Sequence, residues 1–249
     1  RELALSRTKA CAIRTDDSVI CWGTDRYLDA NGTSHQPLSE VELDATLRDD
    51  PPTFTEVHLG EGFGLAIETL ENDRKAAYLW GQVNPEDLST RVRGANSGNY
   101  LPANAERWAV SDSAICYRIR TQLGCKGELG ESESQWVERE RTWNSVPNNS
   151  EIACGPKHCC YWVPGESQAH CWGNSGSGQA GSLEVFQLDP QNIQTGRAIE
   201  SLALGVEHTC AKTSRGVLCW GANSEGQFGR GDLTSNNAQT TEGTDNSRL

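Results

Sequence analysis

A short pattern of large, small, large, then Gly or Ser recurs five times along the chain. Leu3-Ala4-Leu5-Ser6, Val57-His58-Leu59-Gly60, Trp108-Ala109-Val110-Ser111, Ile152-Ala153-Cys154-Gly155 and Leu202-Ala203-Leu204-Gly205 fall in register. Large side chains at alternate positions, ending at a small residue, predict a short strand that stops at a turn. Downstream of each block come two further aligned positions, the second followed in most copies by Trp-Gly. These second positions read Cys21-Trp22-Gly23, Leu79-Trp80-Gly81, Cys125-Lys126-Gly127, Cys171-Trp172-Gly173 and Cys219-Trp220-Gly221, spaced 58, 46, 46 and 48 residues apart. The two positions predict the two strands of a hairpin, giving three strands per copy. The variable links supply a fourth, expected at 36–43, 88–92, 135–139 and 183–188. Four strands in each period of this length is the arithmetic of a propeller blade. The expected fold is therefore all-β, a single β-propeller domain over 1–249 with five repeat units near 1–53, 54–104, 105–148, 149–198 and 199–249.

Cysteine changes that picture from a pattern into a stapled one. Cys11 and Cys21, Cys116 and Cys125, Cys160 and Cys171, and Cys210 and Cys219 occupy the paired hairpin positions. Directly opposed residues of an antiparallel pair are close enough for a disulfide. Pairing Cys210 with Cys219 leaves Ser214-Arg215 as a two-residue turn. Repeat two holds Leu65 and Leu79 at the same positions, so both partners are absent together, as cross-strand bonding requires. Each short loop closed in this way is worth roughly 2–3 kcal/mol in the chain-entropy model. Cys154 and Cys159 remain, and a bond between them would staple the first turn of repeat four. The adjacent Cys160 leaves pairing of Cys159 with Cys171 as an alternative. Ten cysteines without metal-knuckle spacing imply an oxidising setting, extracellular, at the cell surface or periplasmic.

The fifth unit, Gly205-Val206-Glu207-His208-Thr209-Cys210-Ala211 with Gly216-Val217-Leu218-Cys219-Trp220-Gly221-Ala222-Asn223 and Gly226-Gln227-Phe228-Gly229, closely resembles the repeat of the regulator of chromosome condensation family. Unit four matches at His158, Cys160, Cys171-Trp172-Gly173-Asn174 and Gly178-Gln179. The resemblance implies a β-propeller, although family members carry more blades than five. It implies several functions rather than one. Nuclear members exchange guanine nucleotide on a small GTPase and contact chromatin, whereas secreted propellers of this type include protein inhibitors of β-lactamase and surface recognition modules.

Charge selects among these. The net charge of −12 over 249 residues repels phosphate backbones, so nucleic acid is not an expected partner. The chain lacks a run of apolar residues long enough to span a bilayer, so direct membrane insertion is not expected either. It opens directly in patterned sequence, so any leader is expected to have been cleaved. No nucleophile elbow, metalloprotease helix or phosphate-binding loop is present, and no catalytic residue, cofactor or metal is expected.

The expected function is a non-enzymatic binding module that recognises a protein or glycan through blade-face loops, in adhesion, recognition or inhibition. A secreted enzyme with its site at a channel mouth, or a structural spacer of a larger surface protein, are the alternatives. The candidate ligand contacts are aromatic residues off the repeat register, Trp136, Trp143, Tyr161 and Trp162, together with His58, which replaces the small residue of its strand. The motif tryptophans Trp22, Trp80, Trp172 and Trp220, with Trp108, are expected in the core. His158 and His208 recur in register and are expected to brace turns. Arg230-Gly231-Asp232 spells an adhesion tripeptide but overlies an ordinary Gly-rich turn.

Overall fold

The computed structural model describes residues 2–6, 9–23, 27–28, 34–35, 39–40, 52–71, 75–81, 102, 104–127, 141–182 and 184–235. The elements among the described residues are β-strands. Repeat one contains β1 (Leu3–Leu5), β2 (Lys9–Ile13), β3 (Val19–Gly23), a small hairpin of β4 (Tyr27–Leu28) and β5 (Ser34–His35), and β6 (Ser39–Glu40). Repeat two has β7 (Phe54–Leu59), β8 (Phe63–Thr69) and β9 (Lys75–Gly81). Repeat three has β10 (Arg107–Val110), β11 (Ala114–Ile119), β12 (Gln122–Gly127) and β13 (Arg141–Asn144). Repeat four has β14 (Glu151–Cys154), β15 (His158–Trp162), β16 (Gln168–Asn174) and β17 (Phe186–Gln194). Repeat five has β18 (Ile199–Leu204), β19 (His208–Thr213) and β20 (Gly216–Gly221). Each repeat is an antiparallel meander, with sheet orders β1-β2-β3-β6, β7-β8-β9, β10-β11-β12-β13, β14-β15-β16-β17 and β18-β19-β20. No helix among the described residues is long and apolar enough to cross a membrane.

The chain divides into two compact units, Arg1–Glu106 with repeats one and two, and Arg107–Leu249 with repeats three to five. Within each unit neighbouring repeats share a core, and repeat four is covered on both faces. Side chains alternate between the faces. In repeat four, Cys160, Trp162, Ala169 and Cys171 share a core with Trp220 of repeat five. On the opposite face, Cys159 and Trp172 share a core with Cys116, Leu123 and Cys125 of repeat three. In the other unit, Trp80 shares a core with Cys11 and Cys21 of repeat one. One rule covers all three cases: the motif tryptophan of a repeat packs on the hairpin disulfide of the repeat before it. Burying a Trp in this way stabilises each junction by about 2–3 kcal/mol of apolar transfer.

All five disulfides are formed: Cys11–Cys21, Cys116–Cys125, Cys154–Cys159, Cys160–Cys171 and Cys210–Cys219. Each joins directly opposed residues, and Leu65 opposes Leu79 in the repeat without a bond. The alternative of Cys159 with Cys171 is excluded by the pleat. Cys160 faces Cys171, whereas Cys159 lies opposite Trp172 and points to the other face.

The fourth strands depart from expectation. In repeat three the strand is Arg141–Asn144, and in repeat four it starts within the expected segment but runs on as Phe186–Gln194. In repeat one, Ser39–Glu40, within the expected 36–43, pairs with β3 among the described residues. The segments 88–92 and 135–139 lie outside the described residues. The links share no repeating pattern, so sequence alone gives them no register.

Trp22 is a second departure. Trp80, Trp108, Trp172 and Trp220 are buried, but Trp22 is 37% exposed. The disulfide described in that unit is Cys11–Cys21, in the repeat of Trp22 itself, and Trp22 is not part of the core it shares with repeat two. Repeat three is the first of the other unit, and it holds Lys126 at the same position.

Candidate functional site

The junction of repeats three and four carries the densest chemistry among the described residues. Its inner edge is tied by Arg107, whose Nε donates to both carboxylate oxygens of Glu151 at 3.0 and 2.8 Å. Buried Arg118 donates from Nε to the Ser150 carbonyl at 3.0 Å. Towards the outer strands the junction becomes aromatic. Register places Tyr161 opposite His170 and Cys159 opposite Trp172, so all four side chains share one face of the β15–β16 hairpin. Tyr161 and His170 stack with centroids 4.6 Å apart and planes 8° from parallel. Trp172 lies below, 6.3 Å from Tyr161 and 5.4 Å from Trp143, which reaches across from β13. Trp143 Nε1 donates to Asp189 Oδ1 at 3.0 Å. The pair fixes the indole between the two outer strands of neighbouring repeats.

Tyr161, His170 and Trp143 are half-buried, while Trp172 is enclosed. Burial raises the Tyr161 phenol pKa, so the phenol stays neutral. Burial lowers the His170 pKa and outweighs the opposing charge of Glu166, which favours the neutral imidazole in the stack. Preceding Asp189 in the chain, Val185, Phe186 and Leu188 are exposed by 58, 39 and 43%. The arrangement offers ring edges, an apolar strip and one carboxylate. It suits non-covalent contact with an apolar or planar group.

The structure gathers two of the aromatic candidates, Trp143 and Tyr161, and separates the others. Trp162 is 6% exposed and lies on a strand in the core shared with repeat five, not on an open loop, so its ring offers no free face. Trp136 lies outside the described residues. His58 belongs to the other unit, with Nε2 3.6 Å from Glu56, which also pairs with Lys75. Burial alone would raise the Glu56 carboxyl, but the hydrogen bond from Lys75 and the adjacent Lys75 and His58 hold it at about 2. His170 and Asp189 were not among the sequence candidates. His170 was reachable, since a Tyr161–His170 pair follows from opposing Cys160 to Cys171.

Among the described residues, three sulfurs with metal-ligand spacing cluster: Cys116, Cys154 and Cys159, all within 4.8 Å of one another. Every one is held in a disulfide, so none offers a thiolate. The Arg230-Gly231-Asp232 tripeptide closes on itself, with Arg230 Nη2 on Asp232 Oδ1 at 2.9 Å and on the Thr234 carbonyl at 2.7 Å.

The signature residues of the repeat form a single network between repeats four and five. The Gln179 carbonyl accepts from Trp220 Nε1 at 2.9 Å and from the Thr209 hydroxyl at 3.1 Å. Gln179 Nε2 donates to Asn174 Oδ1 at 2.9 Å, and Gln179 Oε1 accepts from the Ser177 amide at 2.9 Å. Repeat five folds its own loop in the same way, with Gln227 Oε1 accepting from the Glu225 amide at 3.0 Å. Residues 199–227 match the model of the regulator of chromosome condensation (RCC1) repeat. The fold is a β-propeller, and its RCC1-type repeat is matched over those residues. An 88-residue stretch, 34% of the chain, is 41% identical to 20% of the ultraviolet-B receptor UVR8 of Arabidopsis thaliana. Human WBSCR16 superposes over 95% of this chain and 65% of its own, with a TM-score of 0.69 and 16% identity. Prp20p of Saccharomyces cerevisiae, described with its binding properties to Gsp1p and histones, superposes over 89% of this chain and 57% of its own, with a TM-score of 0.65 and 14% identity. The chain therefore spans a fifth of the curated relative and under two thirds of these solved chains.

Proposed function

We propose that this chain is a non-enzymatic protein-binding module of an oxidising compartment, extracellular, cell-surface or periplasmic, and that the rim of the repeat three–four junction forms part of its contact surface. The observation that carries this reading is the Tyr161–His170 stack beside Trp143, held over a core closed by disulfides. Aromatic side chains fixed in this way lose little freedom on binding and cover much area. Val185, Phe186 and Leu188 extend the apolar surface, and a net charge of −12 favours a partner with a basic rim. Prp20p, of similar fold, is described as binding Gsp1p and histones, so protein contact is a use to which this fold is put. Five disulfides favour a different setting and a different partner for this chain.

The test is capture with the oxidised chain from the extracellular fraction of its own source, with competition by free chain. Tyr161→Ala and Trp143→Ala should each weaken recovery of a specific protein at least tenfold. Lys212→Ala, at an exposed ion pair on repeat five, should leave it unchanged. Equal recovery by all three variants removes the junction from the contact surface. Retention of a glycan in place of a protein, on an array probed in parallel, would replace the partner class.

A further inference from the structure

Two disulfides meet at the junction of repeats three and four. Cys116–Cys125 closes the β11–β12 hairpin, and Cys154–Cys159 joins β14 to β15. Cys116 Sγ and Cys159 Sγ, which belong to different bonds, lie 3.7 Å apart. Cys154 Sγ falls with both inside 4.8 Å. Exposure of these residues is unequal. Cys116 and Cys159 are fully enclosed at 0% and Cys125 is at 4%, whereas Cys154 is partly open to solvent.

We propose that Cys154 is a modification site for a small thiol, and that its modification moves a covalent link from within the repeats to between them. Of the four sulfurs, an external thiolate reaches Cys154 first. A bond forms to Cys154 Sγ, the Cys154–Cys159 bond breaks, and the electron pair leaves on Cys159 Sγ. That thiolate arises in a dry site, where its charge is poorly solvated and Cys116 Sγ is the adjacent electrophile. Attack on Cys116 forms Cys116–Cys159 and breaks Cys116–Cys125. The electron pair leaves on Cys125 Sγ, which takes a proton from water. Two disulfides and one thiolate enter the sequence, and two disulfides and one thiol leave it. No further oxidant or reductant is required. The product carries the small thiol on Cys154, a free Cys125, and a bond between β11 and β15, the second strands of two neighbouring repeats.

Cys210 provides a comparison inside the same molecule. It too is partly open, but among the described residues it belongs to no sulfur cluster like that of Cys116, Cys154 and Cys159. Thiol attack there ends as a simple adduct with a free Cys219.

The experiment exposes the oxidised chain to rising reduced glutathione, quenches in acid, alkylates free thiols and maps the bonds by non-reducing digestion and mass spectrometry. Glutathione on Cys154, a Cys116–Cys159 cross-link and alkylated Cys125 should rise together, while Cys210 gains glutathione without a new cross-link. Glutathione on Cys154 with alkylated Cys159 and an intact Cys116–Cys125 bond overturns the exchange. Opening of the enclosed pairs before any adduct at Cys154 overturns the site. A Cys154→Ser/Cys159→Ser variant lacks the attacking sulfur, so alkylation of Cys125 at the same dose should drop at least tenfold. Equal alkylation contradicts the proposal. Should that variant not fold, the mapping of the unaltered chain decides by itself.

Discussion

His158 Nε2 lies 2.7 Å from Thr209 Oγ1, joining a strand of repeat four to a strand of repeat five inside a closed core. The Thr209 hydroxyl has one proton and gives it to the Gln179 carbonyl. It must therefore accept from His158, which fixes the neutral Nε2–H tautomer. His158 Nδ1 has no hydrogen-bond partner, which suits an unprotonated nitrogen better than a charged ring. Thr209→Val strands the His158 N–H in that core. A loss of about 1–3 kcal/mol is expected in denaturant unfolding. Thr209→Ser restores the hydroxyl and should recover most of it.

Acid should weaken the chain through the same histidine. Burial, helped by the nearby charge of His208, lowers the His158 pKa from 6.5 to about 3. Between those values the unfolded chain binds the proton and the folded one does not. Stability contributed by this residue is thus full above pH 6.5 and falls as pH drops towards 3, by roughly 3–5 kcal/mol in the limit. Glu56 acts in the same direction at lower pH, because its stabilisation is lost between 4.5 and about 2. Unfolding midpoints measured from pH 7 to 4 should decline, and His158→Gln should flatten the slope between pH 6.5 and 5. A slope unchanged in that variant rules out His158 as the cause.

Tyr117 lies across Gly124, its register partner, and a Cβ added to Gly124 would sit 2.5 Å from the Tyr117 ring. Tyr117 is enclosed and cannot swing aside. Gly124→Ala should cost about 1–3 kcal/mol through overpacking. A thermal melt is sufficient to see it.

Repeat two invites a sixth staple. Leu65 and Leu79 stand directly opposed where other repeats carry their bond. The Leu65→Cys/Leu79→Cys substitution should link spontaneously under oxidising conditions, with no free thiol by titration. It should be about 3 kcal/mol more stable than Leu65→Ala/Leu79→Ala, which truncates the same side chains without a link.

The repeat and its bonds were legible because they rest on opposition between two strands, a local relationship. The joint absence of cysteine at Leu65 and Leu79 and the turn at Ser214-Arg215 both reappear in the registers. The faces were not legible. Cys159-Cys160-Tyr161-Trp162 is apolar throughout, so no period-two contrast says which side is solvent. Both sides are covered by neighbouring repeats, and Trp162 is therefore packed while Tyr161, one residue away, reaches the rim. Trp143 and Asp189 meet only because two unpatterned links each fold into an outer strand, a tertiary outcome with no local signal.

Because Trp80, Trp172 and Trp220 each lean on the repeat that precedes them, packing within each unit has a direction. Synthesis releases the earlier repeat first, so its hairpin is available before the next indole emerges. Biosynthesis and packing thus run the same way. A chain grown in the opposite order would hold each indole in water until its support arrived.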